Sequence, residues 1–252
     1  MRYGIKDRLL FSLLLVCYLL FSYYFFNGWW YSSIGSLLIV GLSYFIWGKD
    51  FLAQTGLSFK LSTALKALVL TAAVTVSAYL LMKYIADRNK IVIEYTSWQA
   101  YYHNIFYILN EELVLGAILL FSLVKKLKIK PFAACLLLAV FFSLIHFVFY
   151  RWIFLERGLI SITTLASLFL VGFIRNSLIL LSGHIAYSWA LHFGWMIIMF
   201  GSMHSYTGTD MAVSEPDRFN LYLGSTEMLL LSGLLAAVFG LIWLSKSKPF
   251  KK

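Results

Sequence analysis

Runs of about 20 apolar residues recur along this chain, and that is the length a helix needs to cross the hydrocarbon core of a bilayer. They fall at roughly 9–27, 31–47, 66–85, 104–124, 131–150, 159–174, 177–201 and 225–245. None alternates polar and apolar positions with a period of two, which excludes a transmembrane barrel. Short polar punctuations separate the runs, among them Gly48-Lys49-Asp50, Asp87-Arg88-Asn89-Lys90, Lys125 to Lys130 and Arg175-Asn176. Only 13% of the residues are charged against 61% apolar, where a soluble domain carries about a quarter charged. The expected fold is an all-α membrane protein, a polytopic bundle of about eight transmembrane helices forming one domain over residues 1–252. Arg2, Lys6 and Arg8 ahead of a Leu-rich run resemble a signal peptide. The run continues through Phe21, Tyr23, Tyr24, Phe25 and Phe26 without a small-x-small cleavage site, so it reads as a retained first helix.

The net charge of +10 raises the question of nucleic acid, but the basic residues sit in short clusters between the apolar runs. That arrangement is the positive-inside signal, so no nucleic-acid partner is expected. In the eight-span arrangement, fifteen Lys and Arg fall on one side and six on the other, with Arg175 counted in the larger group. Both termini are therefore expected in the cytoplasm, in a multi-pass protein of a bacterial cytoplasmic membrane. Segments 50–62 and 91–103 read as interfacial, the second carrying Trp98, Tyr101 and Tyr102 at headgroup level. Cys17 and Cys135 lie deep in apolar runs without paired spacing, which argues against a disulfide or a thiolate metal site.

A charged side chain at mid-bilayer costs about 3 kcal/mol on insertion scales, so every ionisable residue inside a span is a functional candidate. The candidates are Glu111 and Glu112 in the fourth run, His146 in the fifth, and His184 and His192 in the seventh; Glu227 stands at the mouth of the last. At about 1.5 Å rise per residue, Glu111, His146 and His192 fall at one level in the outer half of the membrane. His184 lies two turns deeper on the same reckoning. Two adjacent carboxylates in lipid cannot both ionise cheaply, which marks one as a general base. This suits hydrolysis and proton transport equally.

Three local strings separate those readings. Asn110-Glu111-Glu112-Leu113-Val114-Leu115-Gly116, then Phe142-Ser143-Leu144-Ile145-His146, then Leu191-His192-Phe193-Gly194-Trp195-Met196 resemble, in order, the EExxxR, FxxxH and HxxxN/D motifs of one family. It is the CPBP family of intramembrane proteases, the CAAX-protease and bacteriocin-processing (Abi) group, and the resemblance covers about 104–200. It implies an intramembrane endopeptidase that cuts a membrane-embedded or membrane-emerging peptide or protein. Glu111 would activate water, and His146 and His192 would hold that water and stabilise the oxyanion, with Glu112 beside them. The same Glu111, His146 and His192 form a set able to hold Zn²⁺, though without the His-Glu-x-x-His spacing of soluble zinc proteases; no cofactor is expected. The motif arginine is replaced by Gly116 and the final Asn or Asp by Met196. Asn110, Trp195 through its indole N–H, or His184 could supply the missing donor, and Arg151 at the outer rim could approach Glu112. Two other readings use the same residues. One is a non-catalytic scaffold that binds or regulates another membrane protein, and the other a proton-coupled transporter relaying through Glu111 and Glu112. Pro131, Pro216 and Pro249 all lie at span ends or in loops, which counts against the broken helices of transporters.

Overall fold

The computed structural model describes scattered positions between 4 and 18, then 31–58, 60–148 and 159–247. The first expected span, 9–27, and the outer arginines Arg151 and Arg157 lie largely or wholly outside the described residues. About 80% of the protein is helical. In chain order the main elements are α1 (Tyr31–Trp47), α2 (Leu61–Arg88), strand β1 (Ile91–Tyr95), α3 (Trp98–Lys126), α4 (Pro131–Val148), α5 (Ile162–Ser182), α6 (Ala186–Met199), strand β2 (Ser202–Tyr206) and α7 (Thr226–Ser247). Short helical turns occupy Gly48–Asp50, Phe51–Gln54, Glu215–Arg218 and Phe219–Leu223.

Four helices, Leu61–Arg88, Trp98–Lys126, Ile162–Ser182 and Thr226–Lys246, are long and apolar enough to cross a membrane. Tyr31–Gly41 and Pro131–Phe147 are shorter apolar helices. The helical character of the expected fold is therefore present, with four full-length candidate spans among the described residues where the sequence suggested about eight. Burial is graded as lipid surroundings require: α3 is largely enclosed, whereas α2 and α7 turn most of their apolar surface outward. With lipid tails as apolar as leucine, helices gain little by hiding Leu and Ile, so packing and polar contacts hold such a bundle. Helix α6 packs on α2, α4 on α5, α5 on α7, and α1 on α3.

Two departures from the expected pattern matter for the site. Arg175-Asn176 does not separate two spans: α5 runs unbroken through both, and Arg175 is 2% exposed. The chain turns eight residues later at Gly183, whose φ of +70° closes α5 in the left-handed conformation that glycine adopts freely. His184 follows in that turn, outside the helices. Its Nε2 lies 2.7 Å from the Ser58 carbonyl, and its Nδ1 accepts from the Ala186 amide. His184 is thus a turn residue, not one buried two turns below the others.

The second departure is a two-stranded antiparallel ribbon pairing Ile91 with Tyr206 through Tyr95 with Ser202. Segment 91–103 is therefore a strand and then the first turns of α3, not one uniform interfacial stretch. Behind the ribbon, His204 is buried, with Nδ1 2.7 Å from the Tyr222 hydroxyl and Nε2 3.0 Å from the Ile198 carbonyl. Burial lowers its pKa to about 4, so it is neutral there at ordinary pH.

Candidate functional site

The site is built on α3 where the helix changes pitch. From Trp98 to Glu111 the turns are α-helical; from Glu112 to Leu119 they widen to i→i+5 hydrogen bonding. Wide turns inside a helix recur at functional sites because they re-aim side chains at a cost the rest of the fold covers. Here the two carboxylates at the junction have different surroundings.

Glu112 is fully buried and fully engaged. Its Oε1 accepts from Arg175 Nε at 2.7 Å and lies 3.1 Å from His192 Nδ1, and its Oε2 accepts from the Ser188 hydroxyl at 2.7 Å. Arg175 comes from α5, and Ser188 and His192 are four residues apart on α6, so three helices meet at one carboxylate. Arg175 also reaches the Glu111 carbonyl with Nη2 at 3.4 Å and lies over the Phe142 ring at 4.9 Å. An isolated guanidinium would be very costly here; paired and hydrogen-bonded, it is tolerable.

Gly116 explains how that arginine fits. A Cβ at this position would stand 2.6 Å from Ile179 Cδ1, 3.1 Å from Arg175 Nη2 and 3.3 Å from Glu112 Oε2. An arginine from a neighbouring helix thus lies beside position 116, where a side chain would force Ile179 and the guanidinium to shift.

Glu111 is 6% exposed, and its Oε1 is buried without a hydrogen-bond partner among the described residues. It lines a cavity of about 560 Å³ shared by α2 to α7. His146, His192, Arg175 and Ser188 line the same cavity, and Glu111 lies within electrostatic range of both imidazoles. The structure thus brings Glu111, Glu112, His146 and His192 together.

His146 Nδ1 is 2.7 Å from the Phe142 carbonyl one turn back, and the two rings are 4.7 Å apart. The carbonyl can only accept, so Nδ1 carries the proton; a neutral ring then keeps Nε2 as its acceptor. His192 Nδ1 donates to the Glu112 carboxylate, which fixes the ring's orientation.

The proposed replacement donors are committed elsewhere. Asn110 faces α1, its Oδ1 accepting from Ser36 Oγ at 2.6 Å and its Nδ2 donating to the Ser32 carbonyl at 3.0 Å. Trp195 donates its indole N–H to Met199 Sδ at 3.1 Å, and His184 is held in its turn. Met196 lies on the cavity wall as an apolar residue. The positive group at this junction is Arg175, on the Glu112 carboxylate and the Glu111 carbonyl, in a position the sequence pattern marked as a break between spans. Ser188 was also missed, although its i,i+4 relation to His192 puts both on one helix face.

Among the described residues no three His, Cys, Asp or Glu side chains gather closely enough to hold a metal ion. The cavity opens sideways between α2 and α7: Ser77, Leu231 and Leu235 line it and are also exposed. At one end of that opening Arg88 Nη1 meets Glu227 Oε1 at 2.5 Å and ties the two helices together. The chain matches no family model, no curated protein and no solved structure.

Proposed function

We propose that the protein is an intramembrane endopeptidase in which Glu111 activates water. The observation that carries the reading is the contrast between two neighbouring carboxylates. Glu112 is neutralised by Arg175, Ser188 and His192, whereas Glu111 keeps an unpartnered oxygen on a buried cavity. A buried carboxylate oxygen with no hydrogen-bond partner is costly, and such a cost persists where chemistry uses it.

The residues divide the work as follows. Glu111 takes a proton from water as the water oxygen attacks the peptide carbonyl carbon, and returns it to the amine as the C–N bond breaks. The Nε2 acceptor of His146 takes the water's other O–H and so orients it, with His192 held beside it by Glu112. Arg175, fixed in charge and lining the cavity, provides positive potential where the oxyanion develops, the role Met196 cannot fill. Glu112 acts as a positioning residue, since it holds Arg175 and His192. The three motif strings support the same assignment, and the sideways opening between α2 and α7 suits a substrate arriving within the bilayer. The Lys and Arg bias, counted without the buried Arg175, is in keeping with a site in the outer half of the membrane. A metal at Glu111, His146 and His192 is not required by these roles.

The test compares membrane peptides from cells making the wild type with those making Glu111→Gln, His146→Ala or His192→Ala, each confirmed as inserted. A peptide cut by the wild type should accumulate uncut with every variant. If all three variants behave as wild type, the hydrolytic reading falls and a scaffold is favoured. A pH-driven solute flux lost with Glu111→Gln, without any cleavage, would instead establish the transporter.

A further inference from the structure

We infer that Asn104 is a second substrate-binding point, recognising a peptide group of an extended apolar substrate about three residues from the bond positioned at Glu111. The inference rests on the peptidase reading for the identity of the bond, but its own basis is separate.

Asn104 is 5% exposed, lines the same cavity, and its Nδ2 is buried without a hydrogen-bond partner among the described residues. Other buried unpartnered polar atoms occur at Ser122, Ser167 and Asn176, but none of those residues lines the cavity. The two cavity-lining residues with such an atom are Asn104 and Glu111. They are seven residues apart within the α-helical part of α3, which is two turns, so both occupy one face.

Leaving a buried amide unmatched costs about 1–3 kcal/mol. One carboxamide offers both an NH₂ donor and a carbonyl acceptor, the complement of the C=O and N–H of a peptide backbone. A fatty acyl chain offers neither. The surrounding wall, including Val74, Leu81, Leu115, Met199 and Phe200, is apolar and selects apolar side chains, while the amide selects a polypeptide over a lipid tail. Seven residues at about 1.5 Å each separate Asn104 from Glu111 by about 10 Å. An extended chain advances about 3.3 Å per residue, which sets the offset of three. The direction is toward the end of the bundle that carries the ribbon, because Asn104 lies N-terminal to Glu111 and β1 precedes α3.

The experiment uses the full-length protein in detergent micelles, carrying Glu111→Gln so that nothing is cut. The probe is an acetylated, amidated peptide of alternating Leu and Ala, with palmitate as the amide-free comparison. Binding is followed by calorimetry and checked by the change in the protein's tryptophan fluorescence, to which the cavity-lining Trp195 contributes. The peptide should bind, and adding Asn104→Leu should raise its Kd about 5- to 30-fold while leaving palmitate binding unchanged. Asn104→Asp, nearly isosteric but without the NH₂, should weaken the peptide similarly and serves if the leucine variant does not fold. An unchanged peptide Kd in the variants, or no peptide binding to the parent, overturns the inference. A protein that binds peptide through Asn104 but never cleaves would sink the peptidase reading and leave this site standing. Cleavage indifferent to Asn104 would do the reverse.

Discussion

Arg175 occupies the space that Gly116 leaves open beside Glu112. The guanidinium donates to the Glu112 carboxylate at 2.7 Å, and a Cβ on residue 116 would come within 3.1 Å of it. The ion pair is formed between two helices, so it joins α3 to α5 as well as neutralising Glu112.

Breaking this pair from one side should be severe. Arg175→Ala leaves Glu112 buried without its countercharge, and a loss of about 3–5 kcal/mol is expected. Thermal unfolding of the purified protein in detergent measures it. The apolar double variant Arg175→Met with Glu112→Leu should recover most of that stability yet remain inactive. A double variant as unstable as the single would show that the pair does more than satisfy its own charges.

Filling residue 116 should also be costly. Gly116→Val places a branched Cβ against Ile179 Cδ1, which already stands 2.6 Å from an ideal Cβ, and overpacking of this kind costs about 1–3 kcal/mol. Combining it with Ile179→Ala should return part of the loss, as the same unfolding measurement reports.

Glu111 should show the opposite sign. Glu111→Leu removes a buried, unpartnered carboxylate oxygen, so the variant should be about 1 kcal/mol or more stable than the wild type while losing cleavage. A destabilised Glu111→Leu would mean that the carboxylate holds the fold together.

The third motif supplies a gain-of-function test. Met196 contributes no donor to the cavity, and one oxyanion donor changes rate by about 10²–10³ in hydrolases. Met196→Asn should therefore raise cleavage at least about tenfold in a peptide-release assay. No change would assign the oxyanion to Arg175 alone.

His204 predicts a pH dependence away from the site. Burial holds its pKa near 4, below its ordinary 6.5, so the unfolded chain binds the extra proton between those values. Stability should thus be full above about pH 6.5 and fall as the pH drops toward 4, by up to roughly 3 kcal/mol. His204→Gln should flatten the profile in that window, as acid titration of the unfolding midpoint would reveal.

What the sequence conveyed was governed by hydropathy. Glu111, Glu112, His146 and His192 stand out because each interrupts an apolar run, and a rise-per-residue estimate suffices to level them. The helix that begins the described stretch at Tyr31 ends at Trp47, where the apolar run ends, for the same reason. Arg175 interrupts a run in the same way, but a permanent cation in lipid was read as a loop, since nothing local to α5 reveals the carboxylate on α3 that neutralises it. The actual turn, at Gly183-His184, carries no Lys, Arg, Asp or Glu, so its histidine read as an ionisable residue inside a span and not as a break. The distinct duties of the two adjacent glutamates depend on which helix faces each, which is a property of packing alone. The ribbon strands are five residues each, too short to register against the surrounding aromatic positions.

The gap between α2 and α7 has a further consequence. A cavity that opens onto hydrocarbon is solvated by acyl chains, so an entering polypeptide displaces lipid rather than water. Its occupancy is then set by its mole fraction in the bilayer, and changes in tail length or saturation act as changes of solvent. On the peptidase reading, competition between substrate and surrounding lipid would be built into the binding step itself.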